Sequence, residues 1–203
     1  MRLRVTFSKQ GALRYTGHLD LHKIWERSIR RAKLPLAYSQ GYHPQPKIQL
    51  AAALPLGFAS RAEVMDIWLN EDVNEVVPAL QANVPPGLTI LQAETVDERA
   101  PSLQTQVIAA EYQVEITEAG YASDLNERIA SVMESESIPR VRRNKQYDLR
   151  PLIEDLTIND NGYIFMHLTA REGATGRPEE VLAALEIPLE VTRIERTRLI
   201  FEG

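Results

Sequence analysis

Apolar residues in this chain recur at every second position, then at three- and four-residue steps, then at every second position again, and the whole order repeats in the second half. A chain patterned this way must alternate half-buried strands with amphipathic helices. "LRVTFS" sets Leu3, Val5 and Phe7 against Arg2, Arg4 and Thr6, which reads as a strand. From His18 to Lys33, Leu21, Ile24, Trp25, Ser28 or Ile29, and Ala32 form one helical stripe, with Thr16 or Gly17 as cap, Asp20 in the first turn and Pro35 as stop. "KIQLA" is a short strand. "AEVMDIWL" sends Met65, Ile67 and Leu69 to one face and Val64, Asp66 and Trp68 to the other. "DVNEVVPALQA" reads as a helix containing Pro78, and "LTILQAE" as a strand after the Pro85-Pro86-Gly87 turn.

The second half follows the same order. "EYQVEIT" is a strand, "DLNERIASVME" a helix, "IPRVRR" and "YIFMHLTA" strands, "PEEVLAAL" a helix and "LEVTRIERTRLIF" a closing strand. Between the second and third of these strands lies an insertion, "NKQYDLRPLIEDLTINDNG", with room for an extra strand before the Asp160-Asn161-Gly162 turn. The expected class is α+β: two tandem ferredoxin-like βαββαβ modules with antiparallel sheets, spanning 1–97 and 106–203. The polar stretch 97–106, which contains Pro101, is the expected connector. Helices cover one face of such a sheet, so the other face is solvated, binds something or packs on a neighbour. In the first half that open face carries Arg2, Arg4, Asp66 and Trp68, and in the second Tyr163, Phe165 and His167. The strand "AEVMDIWL" lacks the basic-glycine-aromatic pattern of RNA-recognition sheets, which excludes that assignment.

Composition narrows the chemistry. There is no cysteine, which removes disulfides, thiolate nucleophiles, zinc–cysteine sites and a self-carried iron–sulfur cluster. No run of apolar residues is long enough to cross a membrane, and "MRLRVTFSKQ" lacks a signal-peptide block, so a cytoplasmic location is expected. The net charge of −5 hides a strong asymmetry. Residues 1–50 hold ten Lys/Arg against two Asp/Glu, and 137–150 hold five against one, whereas 51–136 hold three against fifteen. Two basic segments on an acidic chain point to a localised positive surface. Pseudo-symmetric halves would bring both to one cleft, suited to a polyanion.

Three places could carry function. On the first helix, Lys23, Arg27, Arg30 and Arg31 stand off the apolar stripe, either as a solvated face or as phosphate contacts. His18 and His22 lie one turn apart there, but Asp20 points some 200° away from His18 and supplies no third ligand, so no metal is assigned. Some 13 residues from Leu34 to Pro46 then separate helix and strand, a length more often functional than incidental. Gly41 permits a left-handed turn, Pro44 and Pro46 stiffen the backbone, and Tyr38, Ser39, Tyr42, His43 and Lys47 supply stacking and hydrogen-bonding groups. The alternative is an Ω-loop packed by its own tyrosines. In the second half, Arg140, Arg142, Arg143, Lys145 and Arg150 surround Tyr147 and Asp148. An aspartate among cations stays ionised and serves as an ion-pair partner or, less often, as a base or nucleophile.

The motifs "RYTGHLD", "RRAKLPLAYSQGYHPQPKI" and "LPLGFASRAEVMDI", in that order, resemble the radical SAM-linked (radical SAM-associated) proteins of unknown function, and "RVRRNKQYDLRPLI" extends the likeness. Members of that family are often joined to, or encoded beside, a radical SAM enzyme. The resemblance singles out Arg14, Tyr15, His18, Asp20, Tyr38, Ser39, Gly41, His43, Pro44, Pro46, Lys47, Glu63 and Asp66, without assigning them roles. It implies a partner enzyme rather than a reaction. Pseudouridine synthases also pair ferredoxin-like halves around a basic cleft with a catalytic aspartate. Their glycine-arginine-threonine-aspartate motif is missing here, which leaves Asp20 and Asp148 as weak candidates for catalysis.

These readings combine into an expectation. The chain is a non-catalytic partner of a radical SAM enzyme that binds structured RNA or presents a substrate in tRNA or rRNA modification, with no cofactor of its own. The alternatives are a stand-alone RNA-modifying enzyme of pseudouridine-synthase type and a scaffold that docks the partner through the acidic stretch 51–136 without touching RNA.

Overall fold

Strand β1 (Arg2–Lys9) alternates as its sequence requires, with Leu3, Val5 and Phe7 buried on one side. It leads through a 3₁₀ turn at Gly11–Tyr15 into helix α1 (His18–Arg31), then to β2 (Ile48–Leu50), β3 (Ala59–Trp68), α2 (Val76–Gln81), β4 (Leu88–Val96) and the short helix α3 (Leu103–Gln106). Next come β5 (Val107–Ile116), α4 (Leu125–Glu134), β6 (Pro139–Arg142), β7 (Lys145–Asp148), β8 (Ile153–Ile158), β9 (Ile164–Arg171), β10 (Ala174–Thr175), α5 (Pro178–Ala184) and β11 (Thr192–Phe201). The computed structural model describes residues 1–121 and 123–202. The chain is α+β with mostly antiparallel strands, and it divides into two units, Met1–Val107 and Ile108–Gly203.

In the first unit β1 lies between β3 and β4, antiparallel to both, with Val5 opposite Met65 and Ala93. β2 joins the far side of β3, Ile48 opposite Ile67, so the order is β2-β3-β1-β4. α1 lies between β1 and β2 in the chain, and α2 between β3 and β4. One sheet face carries Leu3, Val5, Phe7, Met65 and Ile67, and onto it pack Leu21, Trp25 and Ile29 of α1 with Val76 and Leu80 of α2. Phe7 and Trp25 meet edge to face at 4.7 Å between ring centroids. Each large apolar side chain buried here contributes about 1.5–3 kcal/mol relative to exposure.

The helix boundaries have local causes. α1 ends where Lys33 takes a left-handed conformation (φ 56°) and the Leu34 N–H donates to the Ile29 carbonyl, a Schellman closure completed before Pro35 is reached. α2 is shorter than the pattern 72–82 predicts. Pro78 stands in its first turn, where its missing N–H has no intrahelical partner to lose. At the start of β4, Gly87 (φ 97°) accepts from the Gln10 N–H at 2.8 Å, and a Cβ there would meet the Gln10 carbonyl oxygen at 2.6 Å.

The opposite face of the first sheet carries the polar residues its pattern predicts: Arg2 and Asp66 are buried, and Arg4 and Trp68 half-buried. Asp66 is fully enclosed. Its carboxylate accepts from Arg2 Nε at 2.9 Å and from a terminal Arg2 nitrogen at 2.6 Å, and from Arg4 Nε at 3.0 Å. The Arg2 guanidinium lies 4.9 Å from the Trp68 ring centroid and also donates to the Ala100 and Pro101 carbonyls, at 2.6 and 2.9 Å. Segment 97–106, expected as a connector, is therefore built into the first unit. Leu103 is buried, and Gln49 holds the turn into α3 by accepting from the Leu103 N–H and donating to Ser102 Oγ.

In the second unit β5 lies between β9 and β11, and β8 pairs with the far side of β9. The strand beside β9 thus comes from the insertion rather than from "IPRVRR". That basic segment instead forms β6, in a separate two-stranded hairpin with β7. Apolar content decides the exchange: β8 offers Ile153 and Leu156 for burial, whereas β6 and β7 are polar apart from the exposed Val141 and the half-buried Tyr147. Arg143 (φ 48°) and Asn144 (φ 62°) make the tight type I′ hairpin turn. The Asp160-Asn161-Gly162 turn forms as expected, closed by Asn159 Oδ1, which accepts from the Asn161 and Tyr163 N–H groups.

Replacing Asp66 with alanine leaves the buried Arg2 guanidinium without its carboxylate and removes the ion-pair partner of the half-buried Arg4, with an expected loss of about 3–5 kcal/mol. Urea unfolding followed by tryptophan fluorescence measures it, because Trp25 and Trp68 are the only tryptophans and both lie in the first unit. A midpoint equal to that of the unaltered chain would contradict this account of the cluster.

Candidate functional site

The long connection after α1 is a small structured hairpin rather than an open loop. Ala37 donates to the Trp68 carbonyl and Lys47 to the Ala37 carbonyl, each at 2.8 Å. Tyr38 bridges Pro46, and Ser39 is tied to Gln45 twice: its N–H donates to the Gln45 carbonyl, and its Oγ accepts from the Gln45 N–H. Beyond these ties the tip projects. Gly41 takes φ 137°, Tyr42 is 95% exposed, and His43 meets the Tyr42 ring edge to face at 5.1 Å. Tyr42 therefore does not pack the loop's interior but stands in solvent, whereas Tyr38 lies along the ladder and is only partly exposed.

The base of this hairpin borders a pocket of about 520 Å³. It is built around β2, an edge strand within the first unit, with His18 and His22 from α1, Lys47 and Gln49 from the β2 segment, Trp68 from the end of β3 and Gln104 from α3. His22 Nε2 lies 3.3 Å from the Ile48 carbonyl oxygen, so in the neutral ring Nε2 carries the proton and Nδ1 is left as an acceptor. The Lys47 ammonium and the Gln104 amide make no hydrogen bond or ion pair among the described residues. Gln49, by contrast, is held by Ser102 and Leu103. The pocket thus offers a cation, an amide, an indole and an imidazole acceptor. His18 and Lys47 were expected to bind; His22 and Trp68 stood out only for a metal pair and a sheet face. Gln104 carried no signal, because nothing in the polar stretch 97–106 marks it as close to a strand 55 residues earlier.

The remaining expected residues sort by what already engages them. Arg14 stacks on Tyr15, 4.8 Å from the ring centroid, and donates to its hydroxyl; Tyr15 is 63% exposed. On α1, Arg27 and Arg30 are exposed, Arg30 lying 3.9 Å from Glu26. Arg31 is tied into the fold by donating to the Asn83 carbonyl at 2.7 Å. Asp20 faces solvent outside the pocket, 3.8 Å from Lys23. No group of three or more potential metal ligands occurs among the described residues.

In the second unit Arg142, Arg143 and Lys145 are exposed at the tip of the β6–β7 hairpin. Arg140 reaches Glu180 at 3.6 Å. Burial, then the negative charge of Glu180, pushes the Tyr147 phenol above its ordinary value. Arg150 is structural: it donates to the Met133 carbonyl at 2.8 and 3.1 Å and to the Ile153 carbonyl at 3.0 Å, closing the end of α4. Asp148 is structural as well. Its Oδ1 accepts from the Ile138 N–H at 2.7 Å and the Arg150 N–H at 3.0 Å, and the Ile138 hydrogen bond, reinforced by that of Arg150, holds its carboxyl below the usual range.

The chain belongs to the family described as uncharacterized proteins conserved in bacteria, DUF2344, which it matches over residues 2–178. No curated protein matches it.

The native pKa of Asp148 lies below that of the unfolded chain, so its contribution is present above about pH 4 and disappears as pH falls through the lowered value. Hydrogen-exchange protection factors of the Ile138 and Arg150 amides are expected to decline in acid in the unaltered chain. In Asp148→Ala they start low at neutral pH and lose that acid dependence. Equal protection in both proteins at pH 7 would show that the carboxylate does not hold the hairpin.

Proposed function

We propose that this member of the DUF2344 family is a non-catalytic partner that binds structured RNA and presents it to a radical SAM enzyme acting in tRNA or rRNA modification. The observation that carries the RNA part is the exposed Tyr42–His43 tip, on a hairpin whose base brings the exposed Lys47 ammonium to a pocket bearing two imidazoles and an indole. Aromatic rings in solvent next to cations are the combination on which unpaired bases stack while phosphates are held. Arg27 on α1, together with Arg142, Arg143 and Lys145 on the second hairpin, adds solvent-facing charge.

The enzyme part rests on the resemblance of the motifs around this loop, and on a chain without cysteine, which cannot ligate an iron–sulfur cluster by itself. A stand-alone reaction of pseudouridine-synthase type lacks support from the two carboxylates, since Asp20 lies outside the pocket and Asp148 accepts backbone N–H groups.

Removing charge at Arg27, Arg30, Arg142 and Arg143 together tests the reading while sparing Arg31 and Arg150, whose loss would disturb the fold. Filter binding of bulk tRNA and rRNA fragments across a salt series is expected to show the affinity of the unaltered chain falling steeply with salt. The quadruple alanine variant should bind more weakly at low salt and with a shallower slope, by about one unit for each phosphate that its arginines no longer neutralise. Absence of binding by the unaltered chain at low salt overturns the RNA reading. Capture of the radical SAM enzyme that persists after nuclease treatment, without RNA affinity, would instead establish a protein-docking scaffold.

A further inference from the structure

The pocket beside β2 has a chemistry more specific than the basic surfaces around it. Lys47 supplies an exposed cation in its lining, without a side-chain hydrogen bond among the described residues, and Glu98, which feels its charge, has its carboxyl drawn down mainly by the chain's terminal ammonium. Trp68 supplies a flat ring fixed from the protein side: Arg2, buried and not lining the pocket, lies 4.9 Å from its centroid and is clamped in turn by Asp66. Gln104 supplies an amide able both to donate and to accept, and His22 an acceptor nitrogen. Ile48 and Leu50 supply apolar wall.

A flat π surface, an amide that can read a ring edge and a single cation to one side are the groups that recognise a heterocyclic base carrying a phosphate. The volume, about 520 Å³, sits in the usual range for one small ligand and excludes a duplex segment. We propose that this pocket receives a single nucleotide, with the base against Trp68, its edge at Gln104 and His22, and its phosphate at Lys47. In the RNA-presenting reading, on which the biological source of that nucleotide rests, it is one unpaired nucleotide turned out of a structured RNA, with the Tyr42–His43 tip stacking on its neighbours.

The test separates the pocket from the surface charge. Calorimetric titration of the full chain with the ribonucleoside 5′-monophosphates, the matching nucleosides and inorganic phosphate reads the pocket directly, and quenching of tryptophan emission reports Trp68. At least one monophosphate is expected to bind with quenching, its nucleoside about tenfold more weakly, and inorganic phosphate more weakly still. Lys47→Met should bring the monophosphate down to the affinity of the nucleoside, with an unchanged melting temperature because Lys47 is exposed. Gln104→Ala, at another exposed position, should weaken both about equally. The quadruple arginine variant should keep the monophosphate while losing RNA. Failure of every monophosphate to bind in millimolar excess, or binding unchanged in both Lys47→Met and Gln104→Ala, overturns the pocket proposal even if RNA binding persists. Monophosphate binding in a chain without RNA affinity keeps the pocket and discards the RNA source.

Discussion

The buried ion cluster of Arg2, Arg4 and Asp66 is the constraint around which the first unit is arranged. A carboxylate fully out of water, between two guanidinium groups, is tolerated only where its oxygens are satisfied, and here each oxygen accepts from at least one arginine. That demand sets the register of β1 against β3, since Arg4 must stand opposite Asp66, and it draws in the segment after β4, whose Ala100 and Pro101 carbonyls take the remaining Arg2 donors. A slip of one residue would turn these charges toward the face on which Leu3, Val5 and Phe7 meet the helices. Polar and apolar faces therefore enforce the same pairing from opposite sides of the sheet.

The pocket depends on that arrangement. The Arg2 guanidinium held by Asp66 lies against Trp68, and the same chain segment that covers Arg2 continues into α3, which carries Gln104 to the pocket wall. Gln49 then fastens α3 to β2 through its two hydrogen bonds. The pocket is therefore framed by backbone and ion-pair contacts, whereas Lys47 and Gln104 are exposed on the outside of that frame. The cations of the chain divide in the same way. Arg2, Arg31 and Arg150 hold the fold by donating to carbonyls, and Arg27, Arg142 and Arg143 remain toward solvent.

Strand and helix positions were legible wherever the periodicity was strong. The alternation in "LRVTFS" and "AEVMDIWL" placed the faces of β1 and β3 down to single residues, and the stripe of α1 included its buried Leu21, Trp25 and Ile29 beside the half-buried Ile24 and Ala32. The boundary of that helix was legible only roughly, because its stop is a left-handed lysine rather than the glycine or proline that announces one. The second unit misled for a related reason. "IPRVRR" and "EDLTI" are both strand-like over short spans, and what separates them is how much apolar surface each can bury beside β9, a property of the neighbour and not of the segment.

By itself, then, the sequence determined the α+β class, the sidedness of the strands, the amphipathic helix, the absence of thiol chemistry and the concentration of positive charge in two segments. These properties follow from local spacing and composition, which act through backbone geometry and need no partner. Only the tertiary structure decided which arginines are engaged, that Asp148 closes a hairpin, that residues 97–106 belong to the first unit, and that Gln104 stands beside Trp68 and Lys47. Each of these depends on hydrogen bonds and burial between residues distant in the chain, and such contacts leave no periodic trace in the sequence.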